Sequence, residues 1–132
     1  MRIVLANGVF DLLHPGHVAH LQEARGMGDL LLVALTMDEY INKHGRPILK
    51  FRERAEMLMA LRCVSNVTGC ENAEEAIRWY RPQVFVKGGD YLQKGLLPSE
   101  IEACKMVGAE IRHTAYVPIT TTDIVRRIKE AA

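Results

Sequence analysis

Residues 2–17 read Arg2-Ile3-Val4-Leu5-Ala6-Asn7-Gly8-Val9-Phe10-Asp11-Leu12-Leu13-His14-Pro15-Gly16-His17, and this stretch decides the fold. Arg2 to Ala6 is an apolar run of strand length, and His17 to Met27 has helical period with Gly28 as its stop. The turn between them is built for close contact. Gly8 lets the backbone approach a ligand, and Pro15-Gly16 sets the entry to a helix whose free amides face an anion. His14 precedes a proline, which biases it toward extended backbone. Strand, glycine-bearing turn and helix together are the opening unit of an α/β fold with a parallel sheet.

The same alternation runs down the chain. Leu30 to Leu35 is continuously apolar, as in a strand covered on both faces. Phe51, Ala55, Leu58 and Leu61 recur on one face and predict a helix from Phe51 to Leu61. Val64 to Thr68 is the third strand, and Asn72 with Glu75 starts a helix that ends near Tyr80. Val84 to Lys87 is the fourth strand. Ser99 and Glu102 offer a second capping box, closed by Gly108, before a partly polar strand from Glu110 to Arg112. The last helix spans Thr121 to Ala131, with Asp123 in its first turn and Arg126, Arg127 and Lys129 nearer its end, as the helix dipole favours.

In open parallel sheets, ligands bind beyond the carboxyl ends of the strands. The segments there are Asn7 to Gly16, Thr36 to Lys50, Gly88 to Leu96 and His113 to Thr122, and the unusual residues gather in them. Met37 to Lys50 carries Lys43, His44, Gly45, Arg46, Pro47 and Lys50. A basic loop beside a parallel sheet is a candidate lid over an anionic ligand; its plainer reading is a solvated loop.

The totals narrow the function classes. A length of 132 residues predicts one domain, 1–132, large enough for a core. The net charge of +1 gives no global pull toward nucleic acid or an anionic membrane, so neither is an expected partner. Anion binding must then come from local geometry. Three cysteines at wide spacing (Cys63, Cys70 and Cys104) suit reduced thiols in a cytoplasm better than a disulfide framework or a zinc site. The first apolar run is too short for a signal peptide, and no stretch reaches membrane-spanning length, so a cytoplasmic protein is expected.

His14 and His17 can point at one phosphate group from the helix start, where transfer chemistry needs donors that follow developing charge. The spacing of His14, His17 and His20 also invites a metal reading, but no carboxylate or cysteine completes a four-ligand set. His20 is expected at the surface or boundary. Asp11 is read as fixing local amides of the turn. There is no G-x-x-x-x-G-K-[ST], and no G-x-G-x-x-G follows the first strand, which disfavours P-loop enzymes and nicotinamide dehydrogenases.

Gly8 to His17 matches every defining position of the G-x-F-D-x-x-H-x-G-H signature, and the chain resembles the cytidylyltransferase-like nucleotidyltransferases of the HxGH superfamily. Ile119-Thr120-Thr121-Thr122 looks like the family's I-S-T-T segment. Val86-Lys87-Gly88-Gly89-Asp90-Tyr91, with Arg46-Pro47-Ile48 and Glu53-Arg54, is similar to the adenylyltransferase domain of ADP-heptose synthases. The resemblance implies a Rossmann-like three-layer α/β/α fold with a five-stranded parallel sheet in the order 3-2-1-4-5. It implies a homodimer that uses ATP or CTP with Mg2+ on the triphosphate, and a phosphorylated sugar or polyol as acceptor.

By the same resemblance, His14 and His17 stabilise the transferring and leaving phosphates. Lys43 matches the mobile-loop lysine, with Lys50 as competitor, and Arg54 matches a catalytic arginine. Asn7, Gly8, Phe10, Gly16, Lys87, Gly88 and Asp90 fall on the nucleotide, and Thr120, Thr121 and Thr122 on its phosphates. Cytidylyltransferases for glycerol phosphate and choline phosphate carry R-T-x-G before I-S-T-T, whereas Ala115-Tyr116-Val117-Pro118 has no arginine. That departure tilts the expectation to ATP and a sugar phosphate, with CTP and glycerol 3-phosphate as the alternative.

Overall fold

The computed structural model describes residues 1–132. Five parallel strands form one sheet: β1 (Ile3–Gly8), β2 (Leu30–Thr36), β3 (Asn66–Cys70), β4 (Val84–Lys87) and β5 (Glu110–His113). Their order is β3-β2-β1-β4-β5, so the winding reverses between β1 and β4 and the expected topology is present. Helices α1 (Pro15–Arg25) and α2 (Phe51–Met59) cover one face, and α3 (Ala73–Tyr80) and α5 (Pro98–Val107) the other. A one-turn α4 (Tyr91–Lys94) follows β4, and α6 (Thr121–Ala131) closes the chain.

Strand alternation sorts the core. Val4 and Ala6 pack with Leu21 of α1 and Leu58 of α2, while Leu5 between them faces Ala76, Ile77 and Ala103. Both sides are fully enclosed, which is why β1, β2 and β4 read as unbroken apolar runs. The last helix differs: none of its residues is buried, and Ile128 is 58% exposed. It is attached mainly through its first turn.

Several boundaries move for local reasons. α1 begins at Pro15, two residues before His17, because proline is favoured at the first helical position and His14 supplies the cap. It ends at Arg25, so Gly28 is not its stop. Instead Gly28 lies against Arg2, where a Cβ would come within 2.7 Å of the Arg2 carbonyl oxygen. β3 starts at Asn66, not Val64, which is apolar because it fills the core below the strand. α2 stops at Met59. α5 starts at Pro98, and Glu100, not Glu102, accepts the Leu97 N–H at 2.9 Å. The basic loop carries a 3-10 turn, Asp38–Tyr40, before its irregular tip.

Candidate active site

A cleft of about 300 Å3 opens at the carboxyl ends of β1 and β4, at the reversal point of the sheet. Its walls are the β1–α1 turn, the Lys87–Tyr91 turn and the Thr114–Thr121 segment. Asn7, Gly8, Phe10, His14, Gly16, His17, Lys87, Gly88, Asp90, Thr120 and Thr121 all line it. Lys43, Thr122 and Arg54 do not.

The β1–α1 turn is held under strain. Phe10 and Leu12 have φ of 48° and 54°, a left-handed conformation that costs about 1–3 kcal/mol for such residues. It brings the next residues into the cleft. His14 caps α1 with extended backbone, and its Nδ1 accepts the Gly16 N–H at 3.1 Å. His17 Nδ1 accepts the His14 N–H at 3.3 Å, and the two rings stack with centroids 3.7 Å apart. An Nδ1 that accepts leaves the single proton of a neutral imidazole on Nε2. The turn therefore fixes two rings as Nε2–H donors. Gly16 permits the stack: a Cβ there would meet the His14 ring at 2.9 Å and Ile119 at 2.8 Å.

Burial holds both rings neutral. It lowers the His14 pKa, against a weaker opposing pull from Asp123. In His17 burial, and then the neighbouring His14 and His20, push the pKa down from 6.5 to about 4. An unfolded chain takes up a proton at His17 near pH 6.5, while the folded chain refuses it until about pH 4. The stability held in the neutral ring is complete above pH 6.5 and is lost as pH falls toward 4. His17→Asn, which does not titrate, is expected to flatten the fall in stability across that window in urea melts at stepped pH. An unchanged slope would contradict a buried neutral His17.

Lys87 is 8% exposed, and its charge is already engaged. Its Nζ lies 2.9 Å from Glu100 Oε2 and 4.6 Å from the Tyr91 ring centroid. The pair braces the Gly88-Gly89-Asp90 turn. Gly89 is pressed against the opposite wall, and a Cβ there would sit 2.4 Å from the Tyr116 nitrogen and 2.6 Å from the Thr114 carbonyl oxygen. Gly89→Ala is expected to lower unfolding stability by about 1–3 kcal/mol through overpacking against backbone. A denaturation midpoint equal to wild type would show that this wall is free to move.

At the other end, Thr120 caps α6 by accepting the Asp123 N–H at 3.1 Å. Thr121 Oγ1 donates to the Asp11 carbonyl at 2.7 Å, and Lys43 Nζ donates to Thr122 Oγ1 at 2.9 Å. Lys43 thus stands at the rim beside the α6 N-terminus, whereas the Lys50 backbone N–H caps α2 through Glu53. Asp11 is 3% exposed and accepts the Ile48 and Leu49 N–H groups, at 2.7 and 3.0 Å. The amides it fixes are those of the basic loop, not of its own turn.

Arg54 lies outside the cleft and His20 lies in it. Arg54 is 1% exposed, and its guanidinium donates to the carbonyls of Leu49, Val9 and Thr36 and pairs with Asp38. Its donors are engaged in these bonds, and it would have to release some of them to meet a ligand in the cleft. His20 is half-buried, as a boundary residue is, and it lines the cleft one helical turn beyond His17. The i,i+3 spacing from His17 was the signal, since such residues share a helix face. No group of three or more His, Cys, Asp or Glu could hold a metal ion. No helix is long and apolar enough to cross a membrane.

A family profile described as Cytidylyltransferase-like matches residues 5–127. The "Bifunctional protein HldE" of Geobacter sulfurreducens is 39% identical over 136 residues, covering 98% of this chain and 27% of that protein. Its counterpart in Pelobacter propionicus is 38% identical over 135 residues, with the same coverage. The chain spans about a quarter of the length of these relatives. Among solved structures, the lipopolysaccharide core biosynthesis protein of Thermoplasma volcanium is similar with a TM-score of 0.72 at 23% identity, over 91% of this chain and 99% of its own. Thermotoga maritima TmcAL bound with alpha-thio ATP gives 0.69 at 15% identity, over 99% of this chain and 51% of its own. At those identities the structures speak for the fold. With the profile match running from β1 into α6, the chain belongs to the cytidylyltransferase-like family and is a nucleotidyltransferase.

Proposed function

We propose that this protein transfers the adenylyl group of ATP to the phosphate of a phosphorylated sugar, heptose 1-phosphate being the first to test. An acceptor phosphate oxygen attacks the α-phosphorus, the bond to the bridging oxygen of the β-phosphate breaks, and pyrophosphate leaves. The acceptor oxygen is already ionised near neutral pH, so the protein need supply no general base. The observation that carries the reading is the stacked His14–His17 pair, with both Nδ1 atoms occupied and both Nε2–H groups left as donors. Such donors act on charge that develops at the α-phosphate and the leaving group.

Thr120, Thr121 and the α6 N-terminus take the triphosphate oxygens, with Lys43 as the mobile cation. Lys87 spends its charge on Glu100, so it shapes the nucleoside wall rather than neutralising phosphate. Mg2+ carried on the triphosphate would neutralise part of its charge. Asp90, the one carboxylate in the cleft's lining, is paired with Lys94 at 3.3 Å, which suits a metal held chiefly by phosphate oxygens. Arg54 is a positioning residue. The choice of ATP rests on the Lys87–Tyr91 block and on the absence of arginine from Ala115 to Pro118. A single domain, a homodimer and a cytoplasmic location complete the proposal.

Pyrophosphate release with ATP and CTP across a panel of phosphorylated sugars and polyols tests it. ATP with a sugar phosphate is the expected pair. Preference for CTP with glycerol 3-phosphate would replace this reading with the cytidylyltransferase one. Tight triphosphate binding with no turnover on any acceptor would point to a binding module.

A further inference from the structure

The cleft holds a third imidazole that the reaction above leaves without a task. His20 Nδ1 lies 2.6 Å from Thr114 Oγ1. Thr114 is itself 3% exposed, and its backbone N–H donates to the Lys87 carbonyl at 2.9 Å, which ties the pair to the β4–β5 seam. Phe10 stacks near the His20 ring at 6.5 Å between centroids. The ring's one protein hydrogen bond is this one, through Nδ1, which leaves Nε2 for a ligand. Burial lowers the His20 pKa, with Glu23 and Asp90 pulling the other way, so the ring offers a hydrogen-bonding edge rather than a charge.

Position gives that edge its ligand. His14 and His17 mark the α-phosphate, while α6 and Lys43 draw the remaining phosphates to one side. The cleft is lined as well by the Gly88–Tyr91 turn and by Thr114–Val117, with Tyr91 and Tyr116 among these residues. The Lys87 charge is paired with Glu100, so this part of the lining suits a flat base and ribose hydroxyls better than phosphate. Thr114, Asp90 and Lys87 are the neighbours of His20. We propose that His20, oriented by Thr114, is a nucleoside-binding residue that hydrogen-bonds the nucleoside of the bound nucleotide through Nε2.

The inference rests on the proposal that the cleft takes a nucleoside triphosphate, and the test separates the two. Calorimetry compares ATP with inorganic tripolyphosphate, each with Mg2+, on wild type, His20→Phe and Thr114→Val. His20→Phe keeps a ring but loses the edge, and is expected to weaken ATP about tenfold while leaving tripolyphosphate unchanged. Thr114→Val is expected to show the same ligand-selective pattern at about three- to fivefold, because the ring remains but is no longer held. In turnover, KM for ATP rises and kcat stays within about twofold.

Equal weakening of both ligands, or no change in either, would overturn the role. If His20→Phe does not fold, Thr114→Val carries the same comparison. A wild type that binds neither ligand would overturn the nucleotide reading itself, before any variant is considered.

Discussion

Replacing His17 with alanine is expected to lower turnover about 100- to 1,000-fold while ATP affinity changes by less than about threefold. The expectation follows from the way the ring is held. Its Nδ1 is committed to the His14 N–H, and its pKa of about 4 keeps it neutral at working pH. What remains is one Nε2–H, fixed in direction and costing no reorganisation when charge grows on the phosphate. A donor of that kind is worth little to the ground state and several kcal/mol to the transition state. His17→Asn keeps an acceptor near the Nδ1 position, and so the α1 cap, but loses the far donor. It should fall nearly as far as alanine. Single-turnover rates beside equilibrium binding of ATP decide the matter, and an equal loss in both would make His17 a ground-state contact.

Arg54→Met is expected to be the most destabilising single change at the site, at about 3–5 kcal/mol in urea unfolding. The arginine is enclosed, with three carbonyls and one carboxylate as partners. Methionine fills most of the volume but leaves three carbonyls without their donor, the Thr36 one in a buried position, while the Asp38 carboxylate, 39% exposed, can turn to water. Lysine does not repair the loss, because a single ammonium cannot reproduce a planar fork that spans Leu49, Thr36 and Asp38. A loss under about 1 kcal/mol would mean that the oxygens find other partners and that the cluster is not what holds the loop.

Much of this was legible in the chain. β4 and α6 fall where periodicity put them, since Val84 to Lys87 is apolar and short and Thr120 with Asp123 is a complete capping box. The cleft gathers from the post-strand segments because parallel strands all deliver their loops to one edge. Boundaries failed where an apolar residue served the core without joining a strand, as at Val64. The partners of two site residues were not legible. Arg54 shares the buried stripe of Phe51, Ala55 and Leu58 by helical spacing, while the resemblance matched it to a catalytic arginine. Asp11 looked like a local turn residue because its partners, Ile48 and Leu49, lie far along the chain.

The basic loop is tied at its base. Arg54 grips Asp38 at one end and Leu49 at the other, and Asp11 takes the Ile48 and Leu49 amides. Residues 39–47 are thus a closed ring rather than a free strand of chain, and most of the entropy of bringing its ends together is already lost on folding. A triphosphate that draws Lys43 inward need only order the tip. Little of its binding energy is diverted into arranging the protein, and the affinity seen for ATP should lie near the intrinsic strength of its contacts.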